Sequence, residues 1–193
     1  MTYENSPIMR RMTLAFLRVE AAIFFPAAVG LAMSACESGW WKSVTGDFNY
    51  WGKTRAPEQG PAKFCPTSEH CTKAELRRFR ADELATMKPK LEDIPDDGQK
   101  HWVTMSRWFA SYASLEESLQ DFVALITGGH NRYATAWQQY LKDRNADGLL
   151  TRVCDAGYAT GDAKTVELQI LHQANIIHAV AAGRDELLAN PAA

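Results

Sequence analysis

The sequence is short of several things, and each shortage closes off a class of function. Its 193 residues carry 21 Lys and Arg against 23 Asp and Glu, a formal charge of -2. No basic surplus marks it for nucleic acid. Four cysteines are too few and too scattered for a disulfide framework. Cys36 and Cys154 sit in apolar helical patterns, where a buried free thiol is the ordinary occupant. Cys65 and Cys71, in CPTSEHC, either close a short loop at an oxidising destination or stay free. The five histidines form no HExxH pattern, His70 lacks companions, and His172 and His178 miss the one-turn spacing that would bring them together. No metal and no cofactor is expected. No apolar run is long enough to span a bilayer, the uninterrupted stretch from Ala21 to Ala35 being too short, so no stable membrane insertion is expected. No internal repeat or low-complexity segment is present, and only the NPAA tail looks disposable.

The N-terminus imitates a leader. Arg10-Arg11, an apolar stretch and MSAC ending at Cys36 have the outline of a lipoprotein signal. Arg18 and Glu20 interrupt it, however, and cleavage before Cys36 would remove the helix that positions Glu37. The reading is therefore a buried helix over 26–36 with Pro26 in its first turn, and no signal peptide.

What is present is an ordinary globular composition, 46% hydrophobic and 23% charged, of a length suited to one domain over 1–193. Helical patterns run over 8–20 and 26–36. TGDFNYWGKTRAPEQGPAKF is rich in Gly, Pro and polar residues and reads as loop with short strands. KAELRRFRADELATM reads as charged helix, IPDDGQ as a turn, and KHWVTMSRWFASY as a strand. SLEESLQDFVALI opens with a capping box, Ser114 and Glu117. Further helices cover about 131–143 and 146–154. A last helix over 162–182 shows Val166, Ile170, Ala174, Ile177 and Ala181 on one stripe. The fold class is mainly α, with a small β-containing lobe and helical insertion over about 60–108.

The stretch SACESGWWKS, Ser34–Ser43, raises the functional question. An acid ends an apolar helix and two tryptophans follow it. A carboxylate half withdrawn from water gains proton affinity, which is how a general acid is made. Six tryptophans exceed what a core of this size needs, and amphipathic rings often line grooves for partly polar ligands.

FPAAVGLAMSACESGWWKS, NYWGKT, RWFASYASLEESLQDFVALI, RYATAW and AGYATGD follow one another over about 22–175. Together they resemble the bacterial glucosaminidases of glycoside hydrolase family 73, which include autolysins and the muramidase module of flagellar assembly. Departures are Trp41 for the usual Gly, Trp51 with Lys53-Thr54 for Phe-Gly-Ile-Lys, ATGD for Ala-Thr-Asp-Pro, and a longer segment between NYWGKT and RWFASY. The resemblance implies a lysozyme-like helical fold with a groove flanked by the β-lobe. It also implies hydrolysis of the β-1,4 bond from N-acetylglucosamine to N-acetylmuramic acid in peptidoglycan glycan strands.

In that frame Glu37 is the matched acid, and glycoside cleavage does require a carboxyl still protonated near neutral pH. For the partner carboxylate the resemblance points to Glu69 of Thr67-Ser68-Glu69, as general base, with Glu92 of KPKLEDIPDDG as rival or substrate contact. Assistance by the substrate's own acetamido group is the other route. Tyr158 matches an active-site tyrosine that would orient that acetamido group or steady charge on the sugar; otherwise it is a core tyrosine with its hydroxyl satisfied. Asn49 either braces the loop behind Glu37 or contacts substrate. Trp40, Trp51 and Tyr112 stack on glycan or pack, and Arg132 with Tyr133 pins helices. Two rivals remain: a lytic transglycosylase, against which AGYAT and RYA weigh, and a non-catalytic peptidoglycan-binding module. The expected site of action is the periplasm or cell wall. Without a signal peptide, delivery falls to a dedicated route, as for a phage lysin or a secreted effector with an immunity protein as partner. A monomer is expected.

Overall fold

The computed structural model describes residues 2–159 and 161–190. Thr160 of AGYAT and the last three residues of the NPAA tail lie outside them. The chain divides into two compact units, Met1–Val44 with Ser114–Ala193, and Thr45–Ala113. The second unit includes the excursion expected over about 60–108 and extends it at both ends.

In the first unit, α1 (Pro7–Ile23) starts at Ser6, whose Oγ accepts from Met9 N at 3.3 Å. That satisfies one of the amide groups left unpaired at a helix start. It stops at Phe24, in the left-handed region with φ 66°. The next helix, α2 (Ala27–Glu37), has Pro26 as its N-cap rather than inside its first turn. Ala27, Val29, Leu31, Ala32, Met33 and Ala35 are all buried, so α2 is enclosed around its circumference. Small side chains allow this. A Cβ on Gly30 would lie 2.1 Å from the Phe16 ring of α1, so only glycine admits that approach.

The segment after Ser114 supplies α5 (Leu115–Thr127), α6 (Ala134–Asp143) and α7 (Ala146–Asp155). Ser114 Oγ accepts from Glu117 N at 3.1 Å, and Asn145 Oδ1 from Gly148 N at 2.9 Å. Phe16, Phe25, Phe122 and Trp137 pack in an aromatic cluster. Phe25 and Phe122 meet edge to face at 6.0 Å, and Phe25 lies 6.0 Å from Trp137.

The continuous helix expected over 162–182 is instead α8 (Gly161–Leu171) and α9 (Ala174–Ala189), because Gln173 is extended. The break resets the helical phase. Val166 and Ile177, expected inside, are 44% and 57% exposed. The buried line of α8 is Glu167, Ile170 and Leu171, and that of α9 is Ile176, Ala179 and Gly183.

The second unit is built on one antiparallel pair, β1 (Ala62–Thr72) and β2 (Lys100–Ala110), in register from Ala62↔Ala110 to Thr72↔Lys100. The helix expected across KAELRRFRADELATM is split into α3 (Lys73–Leu76) and α4 (Ala81–Thr86). A tertiary contact accounts for the split. Buried Glu83 accepts from Arg80 N at 3.2 Å, capping α4, and from Trp108 N of β2 at 3.1 Å. Leu76, Met87, Ile94, Val103 and Met105 form a small core beneath the hairpin. Cys65 and Cys71 both lie on β1 and are free. Six residues of strand separate them by ~20 Å, far outside disulfide reach. Among the described residues no helix is long and apolar enough to cross a membrane.

Candidate active site

Glu37 is the last residue of α2, and the chain behind it turns left-handed. Gly39, Trp40 and Trp41 have φ of 56°, 61° and 59°, a conformation that costs a non-glycine residue ~1–2 kcal/mol. Local hydrogen bonds offset the strain. Trp40 N donates to Ala35 O at 2.7 Å. Ser38 Oγ donates to Ser34 O at 2.6 Å and accepts from Trp41 N at 2.8 Å. Trp41 Nε1 donates to Ser34 Oγ at 3.1 Å. The rings of Trp40 and Trp41 meet edge to face at 5.9 Å. This is the physical sense of the sequence around the acid: Ser34 before it, Ser38 after it and a buried Trp41 close the turn, and half-buried Trp40 stands beside it.

Glu37 keeps solvent access, yet the protein around it withdraws enough water to push its carboxyl up from 4.5 to about 7. Desolvation is the larger cause and the charge of Glu167 the second. The C-terminal end of α2, where the helix dipole is negative, opposes ionisation as well.

Tyr158 follows α7 through Gly157, whose φ of 91° makes the turn. Its ring meets Phe122 at 6.3 Å and Tyr133 at 6.1 Å. Its hydroxyl is buried and has no hydrogen-bond partner among the described residues. Burial, followed by the charges of Glu37 and Glu167, holds that hydroxyl well above the ordinary phenol range, so it remains a donor. Glu167, on α8, is 0% exposed. Its Oε2 accepts from Cys154 Sγ at 3.0 Å, while Oε1 has no partner among the described residues. The charge of Glu167 thus opposes ionisation of Glu37 and Tyr158, while burial raises the Glu167 carboxyl itself and the Cys154 hydrogen bond lowers it.

The other expected site residues have different company. Asn49 is 2% exposed, donates to Lys53 O at 2.8 Å and accepts from Lys53 N at 3.0 Å. It braces its loop, and both ends of its amide are engaged. Trp51 is buried against Tyr50, with rings at 6.2 Å. Tyr112 is buried under the Arg55 guanidinium, 5.0 Å from its ring centre. Both pack, and neither offers an open face to a sugar. Glu69 Oε1 accepts from Arg107 Nη1 at 3.2 Å, and Arg107 also lies over the Phe79 ring at 4.2 Å. Glu92 is exposed in a single turn of 3₁₀ helix. Arg132 lies over the ring of its sequence neighbour Tyr133 at 4.9 Å. Among the described residues no three His, Cys, Asp or Glu side chains converge to hold a metal ion.

The profile of the glucosaminidase family, described as mannosyl-glycoprotein endo-β-N-acetylglucosaminidase, matches residues 15–170. The chain belongs to the glucosaminidase family. It is accordingly a glycoside hydrolase, and its mainly helical architecture with one antiparallel hairpin is the fold of solved structures similar to it. A peptidoglycan hydrolase mutant from Sphingomonas sp. A1 is 17% identical with a TM-score of 0.63, over 92% of this chain and 99% of that one. The glycoside hydrolase domain of FlgJ from Salmonella typhimurium, C-terminally truncated, is 21% identical at a TM-score of 0.54, covering 84% and 92%. The catalytic domain of the autolysin Auto from Listeria monocytogenes is 15% identical at 0.57, covering 93% and 89%. Comparison with curated protein sequences gives no match.

In this glucosaminidase the residue that sequence reasoning missed is Glu167. The stripe drawn through Val166 and Ile170 turned α8 slightly out of phase and left Glu167 facing water. A signal was available. Glu167, Ile170 and Leu171 occupy i, i+3 and i+4, so one buried face of the helix carries an acid.

Proposed function

We propose that this glucosaminidase is a peptidoglycan hydrolase that cleaves the β-1,4 bond from N-acetylglucosamine to N-acetylmuramic acid, with Glu37 as general acid. The observation that carries the reading is a solvent-accessible carboxyl at the end of a buried helix, pushed up to about 7. Such a group holds a proton near neutrality and can hand it to the leaving glycosidic oxygen. The structurally similar peptidoglycan hydrolase and autolysin supply the substrate class, whose place in the cell wall makes that the site of action.

Tyr158 keeps its proton throughout and serves as a hydrogen-bond donor toward the acetamido group or the sugar ring. Glu69 is the second carboxylate in this reading, the base for the attacking water, with Arg107 fixing its orientation. If the substrate's acetamido group assists instead, Glu69→Gln lowers turnover only a few-fold. If Glu69 is the base, it lowers turnover by on the order of 10²–10⁴.

The test is digestion of purified peptidoglycan followed by mass spectrometry with and without borohydride reduction. The proposed bond yields muropeptides ending in reducible N-acetylglucosamine. Anhydromuramic ends would make the enzyme a transglycosylase. No soluble fragments, with peptidoglycan still bound, would make it a binding module.

A further inference from the structure

Four arginines line one cleft of the second unit. The cleft encloses about 220 Å³ between Arg55, Arg78, Arg80 and Arg107, with Phe79 and Trp108 as walls. Glu83 is the one acid among the described residues that line it. Local folding brings these groups together. Arg107 and Trp108 belong to β2, Arg55 N donates to Trp108 O at 3.2 Å, and Arg78 to Arg80 lie in the connection between α3 and α4. The volume is below the roughly 300–1,000 Å³ of a site that encloses a whole ligand, so the cleft suits one substituent of a larger molecule.

The neighbouring carboxylates leave guanidinium donors over. Glu83 commits Oε2 to Arg80 N at 3.2 Å and Oε1 to Trp108 N at 3.1 Å. Its approach to Arg107 Nε, 3.7 Å, is beyond hydrogen-bond length. Arg107 Nη1 donates to Glu69 at 3.2 Å, while Nε is buried with no hydrogen-bond partner among the described residues. That side chain is 19% exposed and lies over the Phe79 ring at 4.2 Å. The unmade bond therefore carries a desolvation cost that an acceptor in the cleft would remove. Arg80 is the satisfied member, held by Glu58 at 2.6 Å and Asp82 at 3.2 Å. Arg55 lies over Tyr112 and donates to Pro61 O at 3.4 Å. Exposed Arg78 makes no hydrogen bond or ion pair among the described residues. Glu75, the acid on which its charge acts, is engaged by Thr72 N and Oγ1. Glu58, Glu69, Asp82 and Glu83 balance the four arginines in formal charge, so open donors rather than net charge would hold a ligand here.

We propose that this cleft binds a carboxylate of the acidic peptides that substitute the glycan of peptidoglycan, a hold on the substrate in addition to the sugars. The inference rests on peptidoglycan as the substrate. Arg107 and Arg78 supply the open N–H donors, and a planar guanidinium matches the edge of a carboxylate. The rings of Phe79 and Trp108 cover the carbons beside that carboxylate. A phosphate would use the same donors, but it carries charge on every side and gains nothing from aromatic walls.

The test reads binding without turnover, which separates this site from the hydrolysis. The stem peptide released from peptidoglycan by an amidase is titrated into the full chain labelled with nitrogen-15. The arginine Nε–H signals and the backbone amides of the cleft are followed by NMR. The same peptide with its carboxyls converted to methylamides, and inorganic phosphate, are the comparison probes. Saturable shifts at Arg107 and Trp108 are expected with the free peptide. Methylamidation and Arg107→Gln should each weaken its binding about tenfold, the effect of losing a charge-assisted hydrogen bond at a half-buried group. Arg78→Gln, at an exposed position, should weaken it about two- to fivefold. Equal binding of the methylamidated peptide, shifts confined to residues outside the cleft, or phosphate bound there where the peptide is not, overturns the proposal. Should Arg107→Gln fail to fold, Arg78→Gln and the methylamidated peptide decide, and wild-type affinity in both overturns it. Peptide binding as expected beside a failed peptidoglycan digestion would support the site and overturn the hydrolysis. Digestion without peptide binding would overturn the site alone.

Discussion

The indole of Trp41 donates to Ser34 Oγ at 3.1 Å, tying the left-handed turn that follows Glu37 back onto the last turn of α2. This contact has no part in proton transfer, yet it fixes the direction of the backbone that carries the acid. Trp41→Phe keeps most of the ring volume and removes the donor. Turnover is expected to fall about tenfold or more through misplacement of Glu37, with a stability loss of roughly 1 kcal/mol. Kinetics and thermal melts on the same preparation check this. Unchanged turnover would show that the turn does not orient the acid.

With Glu37 as the proposed general acid, its raised proton affinity predicts the pH dependence. A general acid works only while protonated, so activity should be present below about 7 and fall as pH rises through that value. Stability follows the same sign. The folded-state value lies above the unfolded one, so the protonated form favours folding. The contribution is full below the unfolded value and is lost as pH rises through the folded one. Glu37→Gln should therefore melt like wild type at pH 4 and above it at pH 8. Equal melting temperatures at both pH values would mean that Glu37 is hydrated like an ordinary surface acid.

Asn49 should matter for stability and not for substrate affinity. Asn49→Ala strips both partners from the Lys53 backbone, at a cost of ~1–3 kcal/mol, while KM for those molecules that remain folded should stay near wild type. A raised KM without a stability change would restore the substrate contact.

The close approach of α1 and α2 predicts a steric effect at Gly30. A methyl there must displace the Phe16 ring, and Gly30→Ala should destabilise the protein by ~1–3 kcal/mol. Equilibrium denaturation with chemical denaturant measures it. Phe16→Leu beside Gly30→Ala should recover part of the loss.

Most of the fold was legible because its signals are local. Ser114 and Glu117 do open α5, the strand read across KHWVTMSRWFASY is β2, and the apolar run before ESGWW is the enclosed helix α2. Where the reading failed, a long-range contact overrode the local preference. KAELRRFRADELATM has helical composition throughout, but Glu83 is drawn to Trp108 N of β2, and the helix divides. The last helix breaks at Gln173 with no Gly or Pro to announce it. That error rotated the assumed inner stripe of α8 and hid Glu167. At the site, Glu37 was visible as an apolar-to-acid boundary, whereas the effect of the Glu167 charge on Glu37 and Tyr158 belongs to tertiary packing. The burial of Trp51 and Tyr112 is likewise a property of packing that residue type does not convey.

The measurement that tests the account most directly is muropeptide release from purified peptidoglycan by Glu37→Gln beside wild type, at pH 6, with folding and peptidoglycan binding verified for both. The account predicts release lowered by on the order of 10²–10⁴ with binding retained. Release within a few-fold of wild type would contradict it, because the proton would then reach the leaving oxygen from another group.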